Sequence, residues 1–149
     1  THFKPMIDMD MVSVNHEITA QLARSAVRAS TNLPVKYVVL DTKTGRTGRY
    51  LAAFRGRKTV MAVCYQLHAQ RILALSYGVV PILRNQELRD KYHFLIDALE
   101  FLDQYSKLAD DDLLAIVGGS FGPDGGASYI EFASVRNIRR RNAEIEAHK

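Results

Sequence analysis

The chemistry this sequence offers is concentrated in one stretch, Asp41-Thr42-Lys43-Thr44-Gly45-Arg46-Thr47-Gly48-Arg49. Between Thr42 and Arg49 lie three threonine hydroxyls, one lysine and two arginines. Hydroxyl, ammonium and guanidinium groups are the donors that proteins aim at phosphate. The flanks matter equally. Val35-Lys36-Tyr37-Val38-Val39-Leu40 reads as a buried strand, and Tyr50-Leu51-Ala52-Ala53-Phe54 as a short amphipathic helix. A hydroxyl- and glycine-rich loop between strand and helix is where backbone N–H groups converge on an anion. The same residues would also serve as a solvated turn with incidental positive charge. The density of donors favours the anion site, with Thr42, Lys43, Thr44, Gly45, Arg46 and Thr47 as its candidates.

A second glycine-rich loop, Gly118-Gly119-Ser120-Phe121-Gly122-Pro123-Asp124-Gly125-Gly126, follows the apolar run Leu113-Leu114-Ala115-Ile116-Val117. It offers backbone N–H groups and the Ser120 hydroxyl, with Ser128 just beyond. Taken alone it is a turn, since Gly and Pro punctuate any turn. If the first and fourth strands are parallel, however, both loops leave the same edge of the sheet. Open α/β sheets bind ligands beyond the carboxyl ends of their strands. Together the loops could wrap a sugar phosphate, with Gly119, Ser120, Gly125 and Gly126 forming a lid.

Other chemistry is thin. Neither G-x-x-x-x-G-K-[ST] nor G-x-G-x-x-G after a strand occurs. His16, His68 and His93 fall on expected helices without another His or Cys at ligand spacing, and read as surface or core residues. Asp110-Asp111-Asp112 reads as a solvated charged turn rather than a cation site. Cys64, the single cysteine, lies in the apolar run Val60-Met61-Ala62-Val63-Cys64. It reads as a buried structural thiol, and one cysteine without a partner fits a reducing compartment. No nucleophile–base pair emerges.

These residues must be held by an alternation of strands and helices. Ser13 reads as an N-cap, with Ile18, Leu22, Ser25-Ala26 and Ala29 at helical spacing to about Ser30. Asn32-Leu33-Pro34 ends that helix. Strands follow at Val35–Leu40 and Thr59–Cys64, then a helix over Gln66–Ser76 closed by Tyr77-Gly78. Val79-Val80-Pro81-Ile82-Leu83 is a third strand, placed at a sheet edge because Pro cannot donate to a ladder. Leu88, Tyr92, Leu95-Ile96, Leu99, Leu102 and Tyr105 mark a helix over residues 87–107. Strand four is Leu113–Val117. Strand five, Ala127–Val135, alternates Tyr129, Glu131 and Ala133 against Ile130, Phe132 and Ser134, which marks an edge or antiparallel strand. The expectation is an α/β three-layer sandwich with a mostly parallel five-stranded sheet, its last strand antiparallel.

The 149 residues suit one domain, and 47% hydrophobic with 24% charged residues permits a core and solubility. The division expected is an entry segment or linker over 1–12, an α/β domain over 13–136 and a basic polar tail over 137–149. No apolar run approaches the about 20 residues that span a bilayer. The chain starts at Thr1 without a signal-peptide pattern, which reads as a piece processed or cut from a longer cytoplasmic chain. Net charge is +4, much of it in Arg136-Asn137-Ile138-Arg139-Arg140-Arg141. A solvated helix start or interface patch explains that cluster better than nucleic-acid contact.

Val38-Val39-Leu40-Asp41-Thr42-Lys43-Thr44-Gly45-Arg46-Thr47 resembles the strand and loop of the pyruvate kinase C-terminal domain. Val60-Met61-Ala62-Val63, Gln70-Arg71-Ile72-Leu73-Ala74-Leu75 and Tyr77-Gly78-Val79-Val80-Pro81-Ile82-Leu83 follow in the family's order, as does Asp112–Gly118 with its loop and last strand. The resemblance covers residues 14–135. It implies a regulatory domain whose first loop, Thr42 to Thr47, holds, in eukaryotic members, a phosphate of an effector such as fructose 1,6-bisphosphate, while many bacterial members respond to AMP or sugar monophosphates instead. The loop from Gly118 to Ala127 would cover the other end. Effector-binding members often carry Trp near strand four. This chain has none and places Gly119-Ser120 there, a departure from the bisphosphate-binding pattern that leaves a generic phosphate or sulfate site intact.

The resemblance further implies homo-oligomers through these domains, contact with the rest of a pyruvate kinase chain, and no cofactor in this domain. The full enzyme moves a phosphoryl group from phosphoenolpyruvate to ADP with Mg²⁺ and K⁺ held in a barrel of roughly 250 residues. This chain is too short to contain that barrel, so it is expected to be catalytically silent alone. The alternative is a stand-alone α/β phosphate-binding or scaffold protein that lost the kinase barrel. An independent small enzyme has no acid–base pair to support it.

Overall fold

The computed structural model describes residues 11–42, 45–53, 58–84, 93–119, 127 and 129–148. Ten elements follow in order: α1 (Met11–Asn32), β1 (Val35–Asp41), α2 (Arg46–Ala53), β2 (Val60–Cys64), α3 (Leu67–Ala74), β3 (Val79–Leu83), α4 (His93–Tyr105), β4 (Leu113–Gly118), β5 (Tyr129–Ser134) and α5 (Val135–Ala147).

The strands form one sheet in the order β3-β2-β1-β4-β5. β1 pairs in parallel with β2 and with β4, and β2 in parallel with β3. β5 runs antiparallel to β4 at the far edge. β2 is buried throughout, β4 from Leu114 on and β1 over Val38–Leu40, as a parallel sheet covered on both faces requires. Pro81 sits on the other edge strand, where its missing N–H costs least.

Alternation along each strand feeds two apolar layers. Val38, Leu40, Ala62, Cys64, Ala115 and Val117 pack with Ala23 and Ala26 of α1, Leu51 of α2, and Ala69 and Leu73 of α3. Val39, Met61, Val63, Leu114 and Ile116 face the other way, against Phe94, Leu95, Ala98, Leu99 and Leu102 of α4 and Ile138 of α5. Three helices thus cover one face and two the other, giving the α/β three-layer sandwich expected. Each large side chain so removed from water contributes about 1.5–3 kcal/mol.

Several boundaries differ from the sequence reading. α1 begins at Met11, so Ser13 lies inside the helix and is not its cap. α2 begins at Arg46, not Tyr50, because the Gly45 carbonyl already accepts the Arg49 N–H at 3.1 Å. α3 ends at Ala74; Leu75 and Ser76 donate to Ile72 and Leu73, tightening the last turn before Tyr77 is reached. Gly78, with φ +74°, serves the turn into β3 instead of capping the helix. The expected helix over 87–107 is described from His93 to Tyr105; residues 87–92 lie outside the described residues.

A helix, α5, runs through the residues read as a basic tail. Ser134 caps it, accepting the Asn137 N–H at 3.2 Å, and Val135 and Ile138 are buried. Arg139 reaches Asp103 at 2.7 Å and Asp110 at 3.0 Å, and Arg141 lies 3.5 Å from Glu131. The Arg cluster therefore ties α5 to α4 and β5.

Candidate functional site at the carboxyl edge of the sheet

The chain runs from β1 outwards through β2 to β3, then returns to the opposite side of β1 for β4. β1 and β4 are neighbours, with Leu40 opposite Val117. Their carboxyl ends therefore bound the crevice where strand order reverses, the usual ligand position in open α/β sheets. Both glycine-rich loops start here, one after Asp41 and one after Gly118. Ala127, where the second loop re-enters the described residues, is buried in the α1–α2–α3 layer together with Leu51.

The first loop is anchored at its two described ends. Thr42 N–H donates to Val63 O at 3.0 Å, tying the chain to β2 just beyond β1. The Thr42 hydroxyl oxygen accepts the Gly45 N–H at 3.0 Å. Gly45 has φ +86°, a conformation that residues with a Cβ rarely adopt. Its carbonyl starts α2, so Arg46, Thr47 and Gly48 hold the first-turn N–H groups that lack an intrahelical acceptor. Those donors and the helix dipole favour negative charge at this end. Gly48 lets α2 approach α3 closely, because a Cβ there would collide with Leu73 Cδ2.

Thr42 and Thr47 are fully buried, at 0% and 1% exposure. Their side chains are thus packed inside the domain. Lys43 and Thr44 lie outside the described residues, as do Ser120, Gly125 and Gly126. Gly119 follows β4 directly and is half-buried.

Two polar residues that the sequence reading did not select stand at the same edge. Asp41 ends β1, and its Oδ1 accepts the Tyr65 hydroxyl at 2.7 Å. Tyr65 directly follows β2 and is 9% exposed. The available signal was positional: each is the first polar side chain at the carboxyl end of an apolar strand.

The remaining candidates resolve into structural roles. Asp112 Oδ2 accepts the Ala109 N–H at 2.8 Å and Lys36 Nζ at 3.1 Å. The backbone bond from Ala109 is the larger reason its carboxyl lies below the ordinary carboxylate range; Lys36 adds to it. Asp110 is held by Arg139, so the aspartate run is a braced turn. Among the described residues no three His, Cys, Asp or Glu side chains gather as a metal site. Burial pushes the Cys64 thiol up to about 11, and it lies fully inside the sheet. His68 is exposed on α3. No helix among the described residues is long and apolar enough to cross a membrane.

Residues 20–131 match the family model for the pyruvate kinase alpha/beta domain. The chain belongs to the pyruvate kinase family. It is 25% identical over 145 residues to the pyruvate kinase of Borreliella burgdorferi, covering 95% of this chain and 30% of that protein. It is 26% identical over 121 residues to pyruvate kinase of Lactobacillus delbrueckii subsp. bulgaricus, covering 80% of this chain and 20% of that one. With pyruvate kinase 2 of Synechocystis sp. it shares 30% identity over 105 residues, 70% of this chain and 18% of the relative. The chain thus spans less than a third of the length of these pyruvate kinases.

Proposed function

We propose that this chain is the regulatory, effector-binding and oligomerising domain of a cytoplasmic pyruvate kinase. A phosphate or sugar phosphate would sit at the 42–47 loop. The observation that carries this reading is the placement of Gly45 and the start of α2 beside the β1/β4 switch point, with the second glycine-rich loop leaving the same edge. The first-turn N–H groups would hold the anion. Lys43 and Arg46 would add charge, and Gly119 to Gly126 would close over the ligand.

Transfer of a phosphoryl group from phosphoenolpyruvate to ADP would belong to the rest of the kinase chain, as would the Mg²⁺ and K⁺ that it uses. The isolated chain would then show no metal-dependent turnover of these substrates. A coupled assay giving turnover above background would remove that part of the proposal.

The binding test is a titration with inorganic phosphate, followed by amide NMR. Saturable shifts at Gly45, Thr47 and Gly48 are expected. Unmoved amides at millimolar phosphate would show that the loop is only a tight turn.

A further inference from the structure

A cleft lies on the face of the sheet opposite α2, where α5 bridges α4 and β5. Leu95 and Ile96 of α4, Ile116 of β4, Ala133 of β5 and Ile138 of α5 give it apolar walls. Val135 and Ile138 seat α5 in this layer, and Arg139 ties the helix to Asp103 and Asp110. Asn137 and Asn142 of α5 line the cleft as well. They and Ala133 are short, which leaves a gap over Ile116. The gap is about 30 Å³, close to the volume one water takes in the liquid, so it suits a short apolar tail. Two opposite charges stand at its mouth. Glu131 and Arg141 both line the cleft, with Oε1 and Nη1 3.5 Å apart and side chains 41% and 53% exposed. Ala133 and the four lining residues from α5 lie beyond the stretch 20–131 that matches the family model.

We infer that this cleft binds a short monocarboxylate, its tail over Ile116 and its carboxylate on Arg141 in the place that Glu131 now takes. Small-ligand sites combine apolar walls with a few convergent polar groups, and this cleft has both. A guanidinium presents a planar fork that matches a carboxylate. Glu131 is the incumbent on that fork. An exposed pair of this kind contributes little to stability, so a ligand carboxylate displaces it at small cost. The Asn137 and Asn142 amides add N–H donors for the same oxygens. The site is independent of the anion position proposed at α2, which lies on the other face of the sheet.

The experiment titrates the whole chain with propionate, 1-propanol and hexanoate, followed by methyl and amide NMR. Propionate is expected to move the Ile96, Ala133 and Ile138 methyl signals saturably, with an affinity of about millimolar. 1-Propanol, which has the same chain length without the charge, should bind at least about tenfold more weakly, the equivalent of one charge-assisted hydrogen bond. Hexanoate overruns the gap and should bind no more tightly than propionate. Arg141→Gln should bring propionate down to the level of 1-propanol. Glu131→Gln removes the incumbent and its like charge, so it should tighten propionate about twofold to fivefold. Unchanged propionate binding in Arg141→Gln, tighter binding of hexanoate, or no saturable shifts in the parent at tens of millimolar would each overturn the inference. So would weaker binding in Glu131→Gln, which would make Glu131 a contact to a ligand cation. None of these outcomes bears on the phosphate titration at α2.

Discussion

The Thr42 hydroxyl oxygen lies 3.0 Å from the Gly45 amide nitrogen, and Thr42 is completely buried. This bond closes the turn that converts β1 into α2. A threonine at a loop start is commonly read as a ligand donor; here its oxygen accepts within the turn.

Thr42→Ala would leave the Gly45 N–H without its acceptor in a buried place. The cost expected is about 1–3 kcal/mol. Thr42→Ser keeps the oxygen and loses only a methyl group, so it should stay within about 1 kcal/mol of the parent. Urea denaturation of the two variants checks this. Equal midpoints would show that the turn does not depend on the hydroxyl.

Gly48 and Leu73 set how closely α2 sits on α3. Ala is favoured over Gly within a helix by about 1 kcal/mol. Against that, a Cβ at Gly48 meets Leu73, which is 0% exposed and cannot swing into water. Overpacking of this kind costs about 1–3 kcal/mol and should win. Gly48→Ala is therefore expected to lower stability, and the double variant Gly48→Ala/Leu73→Val to lose less than the two single changes summed. Additive losses in thermal melts would separate the two sites.

Much of this fold was legible because parallel strands buried on both faces are continuous apolar runs. Val60 to Cys64 and Leu113 to Val117 announce themselves in that way, and Pro81 marks its edge. Element ends were less legible. The start of α2 depends on the Gly45 carbonyl meeting the Arg49 amide, and no residue type signals that bond. α5 was less legible because only Val135 and Ile138 of it are buried, while Arg139 finds Asp103 and Asp110 far away in sequence. The Asp41–Tyr65 pair was hidden for a similar reason: it joins two strand ends whose adjacency appears only once β1 and β2 are paired.

Asp112 gives a pH dependence with a defined sign. Its carboxyl is lowered in the folded protein, first by the Ala109 N–H and then by Lys36. A depressed folded value stabilises the fold above the unfolded carboxylate range, near 3.8, and that contribution is lost as pH falls below it. Asp112→Asn should flatten this acid limb relative to the parent. Lys36→Met should flatten it less, because the backbone bond remains. Stability measured between pH 6 and pH 3, by urea midpoints at each pH, tests the order. An identical acid limb in Asp112→Asn would assign the acid sensitivity to other carboxylates.

Association is the last prediction, and it follows from β5. The strand has six residues, pairs only with β4 on its inner side, and ends the sheet. Exposed edges invite pairing with another chain. Phe132 is 38% exposed, and Ile18 of α1 44% exposed. Ile130 packs into the α1 layer, so Phe132, two residues on, lies on the α1 side of the edge. We therefore predict a symmetric dimer formed by α1 and β5. Full burial of a Phe is worth about 1.5–3 kcal/mol. With 38% left to bury, each Phe132 has about 0.6–1.2 kcal/mol to add. In a two-fold interface every residue counts twice, giving about 1–2.5 kcal/mol. Phe132→Arg should therefore weaken association by about fivefold to sixtyfold, more if the two arginines meet at the axis. Sedimentation velocity of parent and variant between low and high micromolar concentration reads this directly. A parent that stays monomeric at high micromolar concentration, or a variant that dimerises equally well, would place any contact between copies on another surface.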